Sequence, residues 1–258
     1  MANAFPSIMC DTTGKEDGIF PSLNDIISQG AIHMANRSYL YSLSNRPTSY
    51  ADRPETISGL SEWGYCVPLS FRILMSGDPI LCPSLVSDGF DEEPEDKKTK
   101  LYAISSDFET GFLRLKKFFT ILNAAVGDKA PYLSEEIDDA LAFLEAHRDS
   151  HLLLETIELD MMTAADESAL KQSVNDELSR CFFTGIAVDA LSDNIDEAVE
   201  QLRHAGEVSA GLELVPLSML NLNADYDRSD DGCPAGVGYW SEHLFFGLWN
   251  RAEFEAAL

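Results

Sequence analysis

Between Asp225 and Gly232 the chain reads Asp-Tyr-Asp-Arg-Ser-Asp-Asp-Gly. Carboxylates at that density are what hard cations use as ligands. An EF-hand beginning at Asp225 needs Gly at 230 and Glu at 236, where the chain has Asp230 and Gly236. Starting at Asp227 puts Gly232 in the glycine place but Gly238 where the bidentate Glu belongs. The segment is left as an acidic turn, or at most a weak calcium binder. His147 and His151 have the spacing of a zinc pair, which requires one helix to carry both. The helix is expected to end between them. Cys66 precedes Val67-Pro68, at an expected helix start where a thiolate is stabilised. No histidine is near it in sequence, and burial is the commoner fate of a free thiol. Glu155 and Glu158 would point to opposite faces of one alternating strand, so they form no carboxylate pair. There is no G-x-S-x-G and no phosphate-binding loop. The stretch from Gly232 to Gly238 lacks the preceding strand and the lysine. The chain is accordingly read as a non-enzyme with no cofactor and no metal site. The alternative is a metal-dependent hydrolase using the late carboxylates, and a third reading is a housekeeping scaffold.

A second acidic stretch runs from Asp88 to Asp96, with Asp91, Glu92, Glu93, Glu95 and Asp96 closely spaced. Like charges so close favour an extended, solvated loop. Its sharper reading is a finger that meets Lys or Arg on a partner. The whole chain has the same bias: 44 acidic against 18 basic residues, net −26 over 258 residues. That field repels phosphate backbones and anionic membranes, so direct nucleic-acid and membrane binding are excluded. It favours a basic protein partner, because complementary potentials speed encounter and reject wrong partners. The expected contact residues are Asp91, Glu92, Glu93, Glu95 and Asp96, then Asp225, Asp227, Asp230 and Asp231.

Several elements must hold these groups in place. Arg37-Ser-Tyr-Leu-Tyr-Ser puts Tyr39 and Tyr41 on one face and Leu40 on the other, as a strand covered on both sides does. Residues 44–66 carry the turn signals Arg46-Pro47 and Arg53-Pro54 and read as a long surface connection. Trp63 and Tyr65 at its end are core plugs or interface anchors. A helix is expected over 67–76, a short one from Asp78-Pro79 through Leu85, and a strand over 101–105. Phe108, Phe112, Leu115, Phe119 and Leu122 recur at helical spacing up to Val126. Ser134 is expected to cap the next helix, through His147, packed as an antiparallel hairpin. A strand over 151–159 follows, then a helix over 166–182, a strand at Gly185–Val188, and a helix over 195–205 capped by Asn194. Leu212–Leu220 reads as a strand broken at Pro216, and Trp240–Leu258 as a closing helix. The fold class is α+β, a helix-rich single domain over 34–258 around a small sheet.

The segments Met34-Ala-Asn-Arg-Ser-Tyr-Leu-Tyr-Ser, Ile57-Ser-Gly-Leu-Ser-Glu-Trp-Gly-Tyr and Leu74-Met-Ser-Gly-Asp-Pro also carry a resemblance. They are similar to an uncharacterised family of bacterial proteins that usually begin at the residue equivalent to Met34. Some of that family resemble acidic immunity proteins of the TsiT kind, encoded beside nuclease effectors of the type VI secretion system. The resemblance implies a cytoplasmic immunity protein that binds and neutralises a cognate secreted toxin, a nuclease, by direct protein contact. It carries no catalytic motif. Residues 1–33 have no sustained apolar period and are expected to be disordered or an over-extended start. Their Gln29-Gly-Ala can be encoded by a ribosome-binding sequence before Met34. Five cysteines, an odd number without CxxC, suit a reducing compartment. No apolar run approaches a membrane span or a signal peptide.

Overall fold

Tyr39 and Tyr41 face one way along the first strand and Leu40 the other, and each side has its own core. In the computed structural model the described residues are 36–90, 93–94, 97–126, 129–164, 166–205, 207, 209, 211–220, 222, 235–237, 240 and 247–258. The expectation about residues 1–33 lies outside them. Five antiparallel strands form one sheet: β1 (Arg37–Leu43), β2 (Ile57–Gly64), β3 (Ile80–Pro83), β4 (Tyr102–Asp107) and β5 (His151–Glu155). Their order is β2-β1-β5-β4-β3. The helices are α1 (Leu69–Leu74), α2 (Phe108–Val126), α3 (Pro131–Ala146), α4 (Ile157–Asp160), α5 (Glu167–Ala190), α6 (Ile195–Arg203) and α7 (Arg251–Ala257), with a 3-10 helix η1 (Leu212–Leu217). The described chain is thus α+β, and none of its helices is long and apolar enough to cross a membrane.

Leu40, Ile104, Leu152 and Leu154 share a core with the aromatic stripe of α2: Phe108, Phe112, Phe118 and Phe119. Tyr39, Tyr41, Leu43, Cys82, Ala103 and Leu153 form a smaller core on the other face, closed by Leu248. Both faces are therefore covered, and β1 sits inside the sheet, between β2 and β5.

Two strands fall where the sequence reads otherwise. β2 lies within the expected connection. It has only weak alternation and two glycines, and a bulge at Leu60 shifts its register against Leu40 and Tyr41. β3 replaces the expected short helix after Asp78-Pro79. Asp78 takes a left-handed φ of 55°, which turns the chain into the strand instead. Pro83 is tolerated because β3 is an edge.

The other departures share a cause: local signals yield to packing. α3 starts at Pro131, a turn before Ser134, and Ser134 Oγ instead accepts from Asn123 Nδ2 of α2 at 3.2 Å. The strand from His151 ends at Glu155 and gives way to α4. α5 runs unbroken through Ala190, so the expected strand at Gly185–Val188 is helix. Leu212–Leu217 is 3-10 helix, not strand. The closing helix is confined, among described residues, to Arg251–Ala257, with a capping box between Asn250 and Glu253.

Candidate protein-docking site

α5 buries Leu170, Val174, Glu177, Cys181, Thr184 and Val188 at helical spacing. The opposite stripe is also apolar in its second half, where Phe182, Phe183 and Ile186 are 50%, 56% and 40% exposed. η1 runs beside it. Leu214 and Leu217 anchor η1 in the core, which turns Leu212 and Val215 outward, with Met219 just beyond. Between the two elements lies a groove of about 500 Å³ lined by Phe183, Ile186, Leu212, Val215, Pro216 and Met219. An apolar concavity left open to water is the exception on a surface and makes this groove the candidate binding face.

Charge at the Ser179 end of the groove centres on Glu177. Arg72 of α1 grips Glu177 through two bonds, Nε to Oε1 at 2.6 Å and Nη2 to Oε2 at 3.1 Å. Arg180 Nη1 adds a third, to Oε2 at 2.9 Å. The Glu177 side chain is 7% exposed and that of Arg72 15%, so the pair is largely desolvated. Glu213 lines the groove without such a partner in α5, and Asp176 is exposed one turn before Arg180. Arg72 and Arg180 are thus balanced by Glu177 and Glu213, and the rest of the lining is apolar or neutral.

Of the acids expected at a partner contact, Glu93 is among the described residues. Asp91, Glu92, Glu95, Asp96, Asp225, Asp227, Asp230 and Asp231 lie outside the described residues, as does the calcium-like stretch. Glu93 is half-buried and ties its own loop. It accepts from Thr99 N at 2.6 Å, Thr99 Oγ1 at 2.5 Å and Phe90 N at 3.3 Å. The Thr99 bonds hold its pKa below the usual carboxylate range. His147 and His151 sit on separate elements, the first just past α3 and the second opening β5. Cys66 is exposed at its surface, yet partial burial raises its thiol pKa, the opposite of an activated nucleophile. Among the described residues, no three His, Cys, Asp or Glu side chains are grouped to hold a metal ion.

The placement of Glu155 and Glu158 corrects the expectation of opposite faces. Glu155 stands opposite Tyr39 in the β1–β5 register and so shares its face. The strand then stops, and α4 swings Glu158 back, where Tyr39 Oη donates to its Oε1 at 2.8 Å. Arg37 N binds the other oxygen at 2.9 Å. Glu155 is fully buried, accepting from Leu85 N at 2.8 Å and Ser84 Oγ at 2.9 Å. The nearby buried Arg53 donates Nη1 to Leu85 O at 2.7 Å and lies over the edge-to-face rings of Tyr50 and Phe254. These hydrogen bonds satisfy Glu155 internally, as in a structural support beneath the C-terminal helix.

This buried acid has a pH signature. Burial raises the Glu155 pKa to about 7, against the opposing bonds from Leu85 and Ser84. Between the ordinary carboxylate value and 7 the folded state holds a proton the unfolded state has released. Stability therefore falls as pH rises through that window. Glu155→Gln keeps one acceptor for Leu85 N and offers an amide to Ser84. It is expected to stabilise the protein at pH 8 by about 2–3 kcal/mol and to flatten the slope between pH 5 and 7. Urea unfolding at several pH values checks this; an unchanged slope would mean Glu155 does not titrate there.

A family model described as a domain of unknown function, DUF7822, matches residues 44–205. That span holds β2 to β5, α1 to α6, and the α5 wall of the groove. No curated protein and no solved structure matches the chain.

Proposed function

We propose that this chain, which belongs to the DUF7822 family, is a cytoplasmic immunity protein that binds and neutralises a cognate secreted type VI toxin, a nuclease. The observation that carries this reading is an open apolar groove on a chain of net charge −26. A nuclease presents basic side chains because it must bind phosphates. A strongly negative protector is drawn to that surface, and apolar contact then slows its release. The Met34–Ser42, Ile57–Tyr65 and Leu74–Pro79 segments resemble an uncharacterised bacterial family, some of whose members are similar to immunity proteins of the TsiT kind, and this resemblance suggests the same biology.

The direct test is co-expression with the product of the adjacent gene. Cells carrying that product as an intracellular toxin should survive only with this chain present, and the two should co-purify. Death in its presence, with no complex, would sink the reading. Retention of a metal ion through dialysis, with hydrolytic activity, would support the hydrolase instead. The acidic stretches should act on encounter. Reversing Asp91, Glu92 and Glu95 to Lys is expected to slow association with the toxin about tenfold at low salt, with little change at high salt. Stopped-flow measurement checks this, and an unchanged rate, also after reversal of Asp225, Asp227 and Asp230, removes both stretches from the interface.

A further inference from the structure

We infer that the α5–η1 groove receives an amphipathic helix of the partner, flanked by Lys or Arg and seated by two or three apolar side chains. The inference rests on the docking reading above and names what that site takes. Its first support is shape. Ser179, Phe183 and Ile186 succeed one another along α5, while Leu212, Val215 and Met219 do so along η1. Two such rows make the trough into which a helix lays residues spaced i, i+3/i+4, i+7. The α5 row spans roughly 10 Å at 1.5 Å per residue, enough for about two turns of a partner helix. A strand partner would need an unpaired sheet edge, and neither wall of this groove is a strand.

The second support is charge. Both guanidinium groups that line the groove, Arg72 and Arg180, are held by Glu177. Glu177 offsets one of those two charges and Glu213 the other, so the sign a partner meets is that of the whole chain, net −26. A helix with acidic flanks would be repelled, and one with basic flanks attracted.

The probe is a pair of synthetic peptides of about sixteen residues. Both carry Leu at i, i+3, i+4 and i+7; one has Lys on its polar face, the other Glu. Fluorescence anisotropy at 150 mM salt is read against the wild-type chain, Ile186→Asp and Val215→Asp. Both side chains are exposed, so the variants should melt as the wild type does. The Lys peptide is expected to bind the wild type at least tenfold more tightly than the Glu peptide, and each variant should weaken it at least tenfold. The added aspartate makes this decisive, because bare charge attraction predicts tighter binding to the variants. Equal or tighter binding to the variants overturns the inference, as does no binding to the wild type. A concentration-dependent dimer of the wild type that both variants dissolve also overturns it, since the occupant would then be a second copy. If the peptide binds through the groove but co-expression gives no rescue, the groove's ligand class stands and the immunity reading falls.

Discussion

Glu177→Ala should destabilise the protein by about 4 kcal/mol, far more than the loss of a surface ion pair. The reason is what remains. Arg72 is mostly buried, and Glu177 supplies both acceptors of its fork. Without them a guanidinium is stranded between α1 and α5 with no other carboxylate bound to it among the described residues. Exposed pairs such as Arg148–Glu145 would each cost less than about 1 kcal/mol. Removing both partners has a different outcome: Arg72→Met with Glu177→Leu leaves no buried charge and should recover most of the loss. Urea unfolding of the two single variants and the double gives the coupling energy directly. A cost below about 1 kcal/mol for Glu177→Ala would mean the pair is effectively solvated. The same variant should weaken docking, because Arg72 and Arg180 would lose the acid that fixes them at the groove's end.

Gly111→Ala should be at least as damaging, although helix propensity argues the reverse. In an exposed helix interior, Ala is about 1 kcal/mol better than Gly. Gly111 is buried where α2 crosses the end of α1, and its backbone touches the Leu74 carbonyl. A Cβ there would sit 1.8 Å from Leu74 O and 2.7 Å from Leu74 C. Those are main-chain atoms, so no rotamer change relieves the clash. Either α1 or α2 must move, and behind them lie Phe71, Phe108 and Phe112. We expect a loss of about 4 kcal/mol or more, visible as a fall in the thermal midpoint and in soluble yield. A raised midpoint would show that the two helices are not in contact at this glycine.

The same contrast between local signal and packing explains how far the sequence could be read. β1, β4 and α2 were legible because their apolar residues keep one period throughout. Tyr39-Leu-Tyr41 alternates with a core on each side, and Phe108 to Leu122 repeats at helical spacing. β2 and β3 were not legible, because edge strands with glycine, proline and few apolar residues are held by their partners more than by propensity. The α5 error is the most instructive. Gly185-Ile-Ala-Val reads as a short strand after a helix ending at Phe182, because the run around it is apolar on every side. Within a helix, only Cys181, Thr184, Gly185, Ala187 and Val188 are needed inside. Phe182, Phe183 and Ile186 are the surplus, and that surplus is the groove wall. The sequence cue for the site is this apolar surplus, which a break at Phe182 hides by splitting the helix in two. The second wall could not be seen, because Pro216 breaks a strand pattern and equally suits a short 3-10 turn. Of the acids chosen for contact from their density alone, Glu93 is described, and its carboxylate closes its own loop.

The most direct measurement is a methyl NMR titration of the chain, labelled at Ile, Val and Met, with the product of the adjacent gene. If docking through the groove is the function, the methyl signals of Ile186, Val215 and Met219 shift on binding while those of buried Ile73 and Ile121 stay in place. A complex that leaves Ile186, Val215 and Met219 unmoved, or no complex at all, would contradict it.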